Sequence, residues 1–270
     1  MGKEFSGGML GKKQAVRDNR VWIKTLENIE SIITKNHLER LISRTVESIY
    51  GETRGKNAAY GWSGGKDSIV LQAVCNMAGI YECVLAVTSL EYPAFMAWIT
   101  NHKPKNLEVI NTGLDMGYLV KHPELLFPQT SAVAAKWFKS VQHKAQKIYS
   151  KKRNLDILLL GRRRIDGNHT GNNGKYTAEN VTRYSPLANW SHEEVLAFIH
   201  YFKMELPPIY KWENGFICGT HQWPARQWTG SIQNGWREVF NIDKLIVIEA
   251  ARHIHSAKQF LGGTNHAKRT

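Results

Sequence analysis

Six consecutive residues, Ser63-Gly64-Gly65-Lys66-Asp67-Ser68, place two glycines, two hydroxyls, an ammonium and a carboxylate side by side. Adjacent glycines let the main chain approach a ligand with no Cβ in the way. Where such a segment turns from a strand into a helix, several backbone N–H groups point outward at the positive end of the helix dipole, and that combination binds phosphate. Lys66 adds a point charge, Ser63 and Ser68 add hydroxyl donors, and Asp67 is the candidate ligand for a magnesium ion. The Walker A spacing, GxxxxGK[ST], is not met: Gly61 to Gly65 is one residue too short, and Asp67 follows the lysine where Ser or Thr would hold magnesium.

A second candidate set is Gly161-Arg162-Arg163-Arg164-Ile165-Asp166. Arginine presents a planar fork that suits phosphate and sulfate oxygens. A third is Cys218-Gly219-Thr220-His221, with Trp223 and Arg226 close by. A thiolate beside His or Arg is activated, whereas a free cysteine in a core is a small hydrophobe, and both readings of Cys218 stay open. Cys75 and Cys83 sit in core-like positions. With three cysteines and no CxxC pair, a disulfide framework, a four-cysteine iron–sulfur cluster and a structural zinc site are all disfavoured.

The elements that must position these residues follow from periodicity. Trp22, Leu26 and Ile29 form one helical stripe, and Leu38, Leu41, Ile42, Val46 and Ile49 form another, with a break near Thr34-Lys35-Asn36 and Gly51 as a stop. Ala58–Trp62 reads as a buried strand running into the glycine loop, followed by a helix over 69–78. Strands are expected at 81–88, 107–111 and 155–160, and helices at 93–100 and 131–149. Residues after Asp166 are rich in Gly and Asn through Gly174 and read as a mobile loop. Ser191 with Glu194 is a capping box for a helix reaching about Met204, which Leu206-Pro207-Pro208 ends. Leu245–Ile248 reads as a strand, then a last helix.

Strands alternating with helices imply an α/β fold: a parallel twisted sheet with helices on both faces. Ligands then sit at the carboxyl ends of the strands, where the Ser63 and Gly161 loops both fall. The expected organisation is a flexible basic arm over 1–20, a helical extension over 21–52, a nucleotide-binding domain over 53–205 and a small Trp-rich C-terminal region over 206–270 that meets substrate or partner.

The net charge of +13 raises the prospect of a polyanionic partner, DNA or RNA, through phosphate neutralisation. No apolar run is long enough to span a bilayer, which gives no membrane and a cytoplasmic setting as the expectation. A homodimer is compatible with everything above.

Ser63–Ser68 resembles the PP-loop, SGGxDS, of the ATP pyrophosphatases without a mismatch. Within that group the chain resembles the phosphoadenosine-phosphosulfate (PAPS) reductase family. Leu90-Glu91-Tyr92-Pro93 is similar to its EFPET stretch, and Gly161–Asp166 to its GxRxxES-type segment. Ser185-Pro186-Leu187-Ala188-Asn189-Trp190 is similar to PLxDWT, and Leu206–Tyr210 through Gly215–Gly219 to its LPxNPLYxxGYxSIGC end. The likeness covers about residues 57–220 and implies an adenine nucleotide alpha hydrolase-like fold.

The resemblance also implies site roles. Trp62 and Ser63–Ser68 hold the triphosphate or pyrophosphate. Main chain around Thr88-Ser89-Leu90 lines adenine, and Gly161, Arg162 and Arg163 reach phosphate or sulfate oxygens. Lys66, Asp67, Arg162 and Cys218 are the catalytic candidates, and Arg164, Asp166, His221, Trp223 and Arg226 the substrate-binding ones. ATP and magnesium are the implied cofactors. The leading expectation is an enzyme that adenylates a substrate and releases pyrophosphate, for nucleic-acid modification or sulfur transfer. A thioredoxin-dependent reductase of the family carries a nucleophilic cysteine in an ECGxH-like tail, and no cysteine follows Cys218 here. A sulfonucleotide reductase is therefore the second reading, and a non-catalytic nucleotide-binding partner protein the third.

Overall fold

The structure, a computed structural model, describes Leu10 and residues 18–267. The basic arm expected over 1–20 lies, apart from Leu10 and residues 18–20, outside the described residues. In chain order the elements are α1 (Asn19–Glu27), α2 (Ile29–Ile32), α3 (Lys35–Thr53), β1 (Ala58–Gly61), α4 (Lys66–Met77), β2 (Cys83–Val87), α5 (Pro93–His102), β3 (Leu107–Asn111) and α6 (Met116–Lys121). Then come α7 (Ser131–Phe138), α8 (Lys144–Arg153), β4 (Ile157–Leu159), β5 (Lys175–Ala178), β6 (Val181–Tyr184), α9 (His192–Tyr201), α10 (Gly215–Cys218), α11 (Ile232–Ile242), α12 (Lys244–Ala250) and α13 (His255–Ala267).

The six strands form one sheet in the order β3-β2-β1-β4-β6-β5. β1 is central and pairs in parallel with β2 and β4, and β4 pairs in parallel with β6. A parallel sheet is covered on both faces, and β4 accordingly buries all of Ile157, Leu158 and Leu159. The expected α/β architecture holds, with one correction: β5 is an antiparallel edge strand. The Gly/Asn-rich stretch expected as a mobile loop leads directly into this β5–β6 hairpin. Its turn residues, Glu179 and Asn180, have φ of 52° and 63°, the left-handed pair that a two-residue hairpin turn requires.

Local signals set most boundaries. Thr34 accepts the His37 N–H and starts α3, which accounts for the break between the helices of the N-terminal extension. Helix α3 runs past Gly51 to Thr53. Ser191 and Glu194 form the complete capping box of α9. The strand expected at Leu245–Ile248 is instead helical, inside α12. Asp243 accepts the Leu245 N–H as its N-cap, and a short apolar run carries no periodicity of its own to separate the two states.

The chain divides into two compact units. The first comprises residues up to Leu85, Trp98–Val109 and Gln146–Gly219; the second comprises Ala86–Ala97, Ile110–Ala145 and Thr220 onward. The first unit's core gathers Trp22, Ile49, Leu71, Leu158, Leu187 and Phe198, all buried. The helical extension is bound into this core: Ser48 bonds Tyr184, and Thr45 accepts from the Trp190 indole N–H. The second unit packs Phe127, Trp223 and Trp236 together, with α11–α13 beside them. A Cβ on Gly235 would lie 2.3 Å from the Phe127 ring, so only glycine lets the α11 backbone come this near.

Candidate functional site

β1 ends at Gly61 and α4 begins at Lys66, so the glycine loop occupies the carboxyl end of the central strand. Gly64 has φ of +65°, a left-handed conformation that glycine adopts without a Cβ penalty. The two serines brace the loop. Ser63 donates its backbone N–H to Ser68 Oγ at 3.1 Å, and Ser68 Oγ donates to the Gly65 carbonyl at 2.9 Å. Gly65 is the N-cap of α4 and offers no side chain to the first-turn N–H groups. One of them, that of Lys66, donates to the hydroxyl of Tyr210 at 2.8 Å. Trp62 is buried and stacks on Trp98 at 6.2 Å.

Beneath the loop runs a chain of charges. The Lys66 side chain is 1% exposed, and its Nζ lies 2.7 Å from Asp67 Oδ2. Asp67 Oδ1 lies 2.9 Å from Nε of Arg163, whose side chain is 0% exposed. Arg163 Nη2 reaches Asp166 Oδ2 at 3.1 Å and His192 Nδ1 at 2.9 Å, and Nη1 donates to the Trp190 carbonyl. Two cations and two carboxylates balance, which is the condition under which buried charge is tolerated. The chain ties the β1 loop to the β4 loop. Backbone packing reinforces it: a Cβ on Gly161 would lie 3.1 Å from the Asp67 carbonyl oxygen.

Trp22 of α1 closes the underside. It stacks on Phe216 at 5.2 Å, meets His192 edge-on at 4.7 Å, and lies 5.9 Å beneath Lys66 Nζ. Asn19 donates to the Tyr210 carbonyl and accepts the Phe216 N–H, which fixes the segment that carries Tyr210. Burial holds the Tyr210 hydroxyl far above the usual tyrosine range, with the Asp67 charge adding to it and the Lys66 N–H opposing. It therefore remains protonated at any working pH.

The residues singled out from the sequence fall as follows. In the first unit, Ser63–Ser68, Gly161, Arg163 and Asp166 are brought together. Arg162 donates to the Tyr176 hydroxyl at 2.7 Å, and Arg164 is exposed and bonds Asn189 and the Gly171 carbonyl. Cys218 lies in α10 with 1% exposure. In the second unit, Thr88 donates its N–H and its hydroxyl to Glu91 Oε1, Leu90 N–H donates back to Thr88 Oγ1, and Ser89 N–H donates to the Leu114 carbonyl. Gln222 also donates to Glu91, at 2.8 Å. Burial pushes the Glu91 carboxyl up to about 7, against the lowering effect of the Gln222 and Thr88 hydrogen bonds. His221 meets the Phe138 ring edge-on, buried Trp223 donates its N–H to the Leu90 carbonyl, and Arg226 is buried in a pair with Glu238 at 3.0 Å.

Two consequences follow for what the site can hold. A glycine-built turn with outward N–H groups at a helix N-terminus suits a nucleotide polyphosphate. The donor set does not fit a metal held by Asp67 alone, because each of its oxygens faces a cation at 2.7 or 2.9 Å. In the first unit, Tyr210, His192 and Trp22 support the glycine loop and were not singled out as site residues from the sequence; the sequence signal for Tyr210 was the Leu206–Tyr210 stretch itself.

The chain is similar to several solved structures. PAPS reductase from Candida auris, in a phosphate complex, is 14% identical over 66% of this chain and 92% of that one, with a TM-score of 0.48. NMN synthetase from Francisella tularensis is 14% identical over 82% and 95%, TM-score 0.47. NH3-dependent NAD synthetase from Campylobacter jejuni is 10% identical over 83% and 96%, TM-score 0.44. No curated protein matches the chain. The family model described as the phosphoadenosine phosphosulfate reductase domain matches residues 57–222, a span that takes in the glycine loop, the arginine loop and Tyr210, and by that match the chain belongs to the PAPS reductase domain family.

Proposed function

We propose that this protein is an ATP pyrophosphatase that adenylates an acceptor. The observation that carries the reading is the buried charge chain Lys66–Asp67–Arg163–Asp166, which holds a glycine-built turn in one geometry at the end of the central strand. An oxygen of the acceptor attacks the α-phosphorus, the bond from that phosphorus to the α–β bridging oxygen breaks, and pyrophosphate leaves with the bonding pair.

The residues contribute positioning and electrostatics, the two largest sources of acceleration in such transfers. Backbone N–H groups of the glycine loop and the α4 dipole stabilise charge building on the departing pyrophosphate. Internal pairing balances Lys66 and Arg163, so the net positive charge at the rim comes from Arg162 and Arg164. Asp67 and Asp166 keep the cations oriented. Magnesium would arrive with the nucleotide, and no step here is assigned to a metal ligand from the protein.

The acceptor class is drawn from charge. A net charge of +13, and a stretch from Ser131 to Arg153 with seven Lys/Arg and no Asp or Glu, suit a nucleic acid. The test is pyrophosphate release from Mg-ATP, with and without single-stranded DNA or RNA, beside an Asp67→Asn control. Release that the nucleic acid stimulates and the substitution abolishes is the expected result. ATP binding with no release under any arm would overturn the adenylation reading in favour of a sulfonucleotide substrate.

A further inference from the structure

A cavity of about 310 Å³ opens in the first unit between α4 and the residues that lead into β2 and β3. That volume lies at the lower end of the range for small-molecule sites, about 300–1,000 Å³. The residues before β2 and β3 mark the amino ends of the strands, whereas the glycine loop stands at the carboxyl end of β1. Asn76, on the cavity wall, follows Lys66 by ten residues along α4, about 15 Å at the rise of an α-helix. The cavity is therefore separate from the glycine loop.

Its lining has a definite chemistry. Tyr60 and Pro104 are buried and form the inner wall, while Tyr81, 55% exposed, stands at the mouth with the exposed Lys105 and Asn106. Gln72 and Asn76 are four residues apart on α4, so their carboxamides share one face of the helix. The Asn76 Oδ1 atom is buried and accepts no hydrogen bond among the described residues. Buried polar atoms are nearly always paired, so this one marks a place for a donor from outside the chain. It lies near the carboxyl end of α4, where the helix dipole also favours a donor. The Tyr60 hydroxyl is engaged with the Cys83 thiol, which leaves its ring for a ligand. Asn106 is held by a hydrogen bond from its Nδ2 to Glu82 Oε1 at 2.7 Å. Among the described residues no acidic side chain lines the cavity, and Lys105 gives its mouth a positive charge.

We infer that this cavity is a second ligand site, for a nucleobase with its phosphate. A carboxamide carries a donor and an acceptor in one plane, which matches the edge of a base. The base stacks on Tyr81, donates an N–H to Asn76 Oδ1, and leaves its phosphate at Lys105. A free nucleotide and a nucleotide within a single strand present this same chemistry. The assignment does not depend on ATP binding or on adenylation.

The test uses the full chain and four probes: uridine, uridine 5′-monophosphate, ribose 5-phosphate and a short oligouridylate. Uracil offers a ring N–H between two acceptors. Affinities are read by titration calorimetry. The base is located by irradiating the 5-iodouracil forms of the monophosphate and the oligouridylate and mapping the attached peptide by mass spectrometry. Attachment at Tyr81 or Tyr60 is the expected result. Attachment of the strand alone identifies a single strand as the source, and attachment of the monophosphate alone identifies a free nucleotide. Tyr81→Ala, at an exposed position, is expected to weaken uridine 5′-monophosphate by about fivefold or more through lost stacking. Asn76→Leu is expected to weaken it to a similar degree while unfolding at the wild-type temperature or higher. Lys105→Gln is expected to weaken the monophosphate and leave uridine unchanged.

Attachment only at other residues would overturn the assignment, as would equal affinity in the wild type and Asn76→Leu. A strong loss of ligand-free stability in Asn76→Leu would overturn it too, because the protein would then already satisfy that oxygen. Ribose 5-phosphate binding as tightly as uridine 5′-monophosphate would remove the base from the reading. Absent pyrophosphate release with attachment at Tyr81 intact would sink the pyrophosphatase reading and leave this one standing.

Discussion

The hydroxyl of Tyr210 accepts the backbone N–H of Lys66 at 2.8 Å across 144 positions of sequence. One first-turn N–H of α4 therefore has a protein partner, and the helix start is fixed from outside the loop. Tyr210→Phe keeps the ring and removes the acceptor. An unsatisfied buried N–H costs about 1–3 kcal/mol. The expected outcome is a modest fall in unfolding midpoint and a several-fold rise in the ATP dissociation constant, read together by thermal melts and nucleotide titration. An unchanged affinity would mean that the loop holds its shape without the tyrosine.

Asp67 stands between two buried cations, so its removal harms the protein through what remains. Asp67→Asn leaves Lys66 and Arg163 without their shared counter-charge, which for a buried pair costs about 3–5 kcal/mol. Adding Arg163→Met to that variant removes one of the stranded charges and is expected to recover part of the stability. Denaturant midpoints of the wild type, both single variants and the double variant give the coupling. Simple additivity would show that the pair does not interact.

Glu91 gives a pH dependence with a definite sign. Its carboxyl is raised to about 7 in the folded protein against an ordinary value of 4.5, so the folded state binds more protons between those two values. Stability from this group is fully present below about 4.5 and is lost as pH rises through about 7. Glu91→Gln removes the titration. Chemical denaturation at pH 5, 6, 7 and 8 is expected to show the wild type losing stability relative to Glu91→Gln along the series. Parallel profiles would refute it.

Gly161→Ala tests the contact between the two loops. The added methyl would sit 3.1 Å from the Asp67 carbonyl oxygen and 3.4 Å from the Ser68 nitrogen, so the loops must part by a few tenths of an ångström. Its backbone φ is not left-handed, so strain of that kind does not contribute. Affinity for ATP is expected to fall more than global stability does. A melt and a titration on the same sample separate the two effects.

The order of elements was legible in the sequence because each depends on neighbours along the chain. The Ala58–Trp62 run, the capping box at Ser191 and Glu194, and the all-apolar β4 all name their own structure. The hairpin at β5–β6 was hidden because its turn, Glu179-Asn180, lacks the glycine that usually marks one, and because the Gly/Asn-rich residues before it read as loop. The glycine loop was legible as a turn from a strand into a helix. The pairing inside it was not. Arg163 looked like a phosphate ligand beside Arg162 and Arg164, and only the fold shows it facing Asp67, 96 residues earlier in the numbering. Tyr210 lay in a stretch that marked the family but not the residue's role, since a tyrosine shortly after Leu206-Pro207-Pro208 reads equally well as core.

The support of Tyr210 by Asn19, and of Lys66 by Trp22, has a practical side. The family match starts at residue 57, yet two residues that shape the site stand well before it. An expression clone trimmed to the matched span would lose the clamp on the 210–216 segment and the aromatic floor under the lysine, and would report a weakened protein where the uncut gene specifies a sound one.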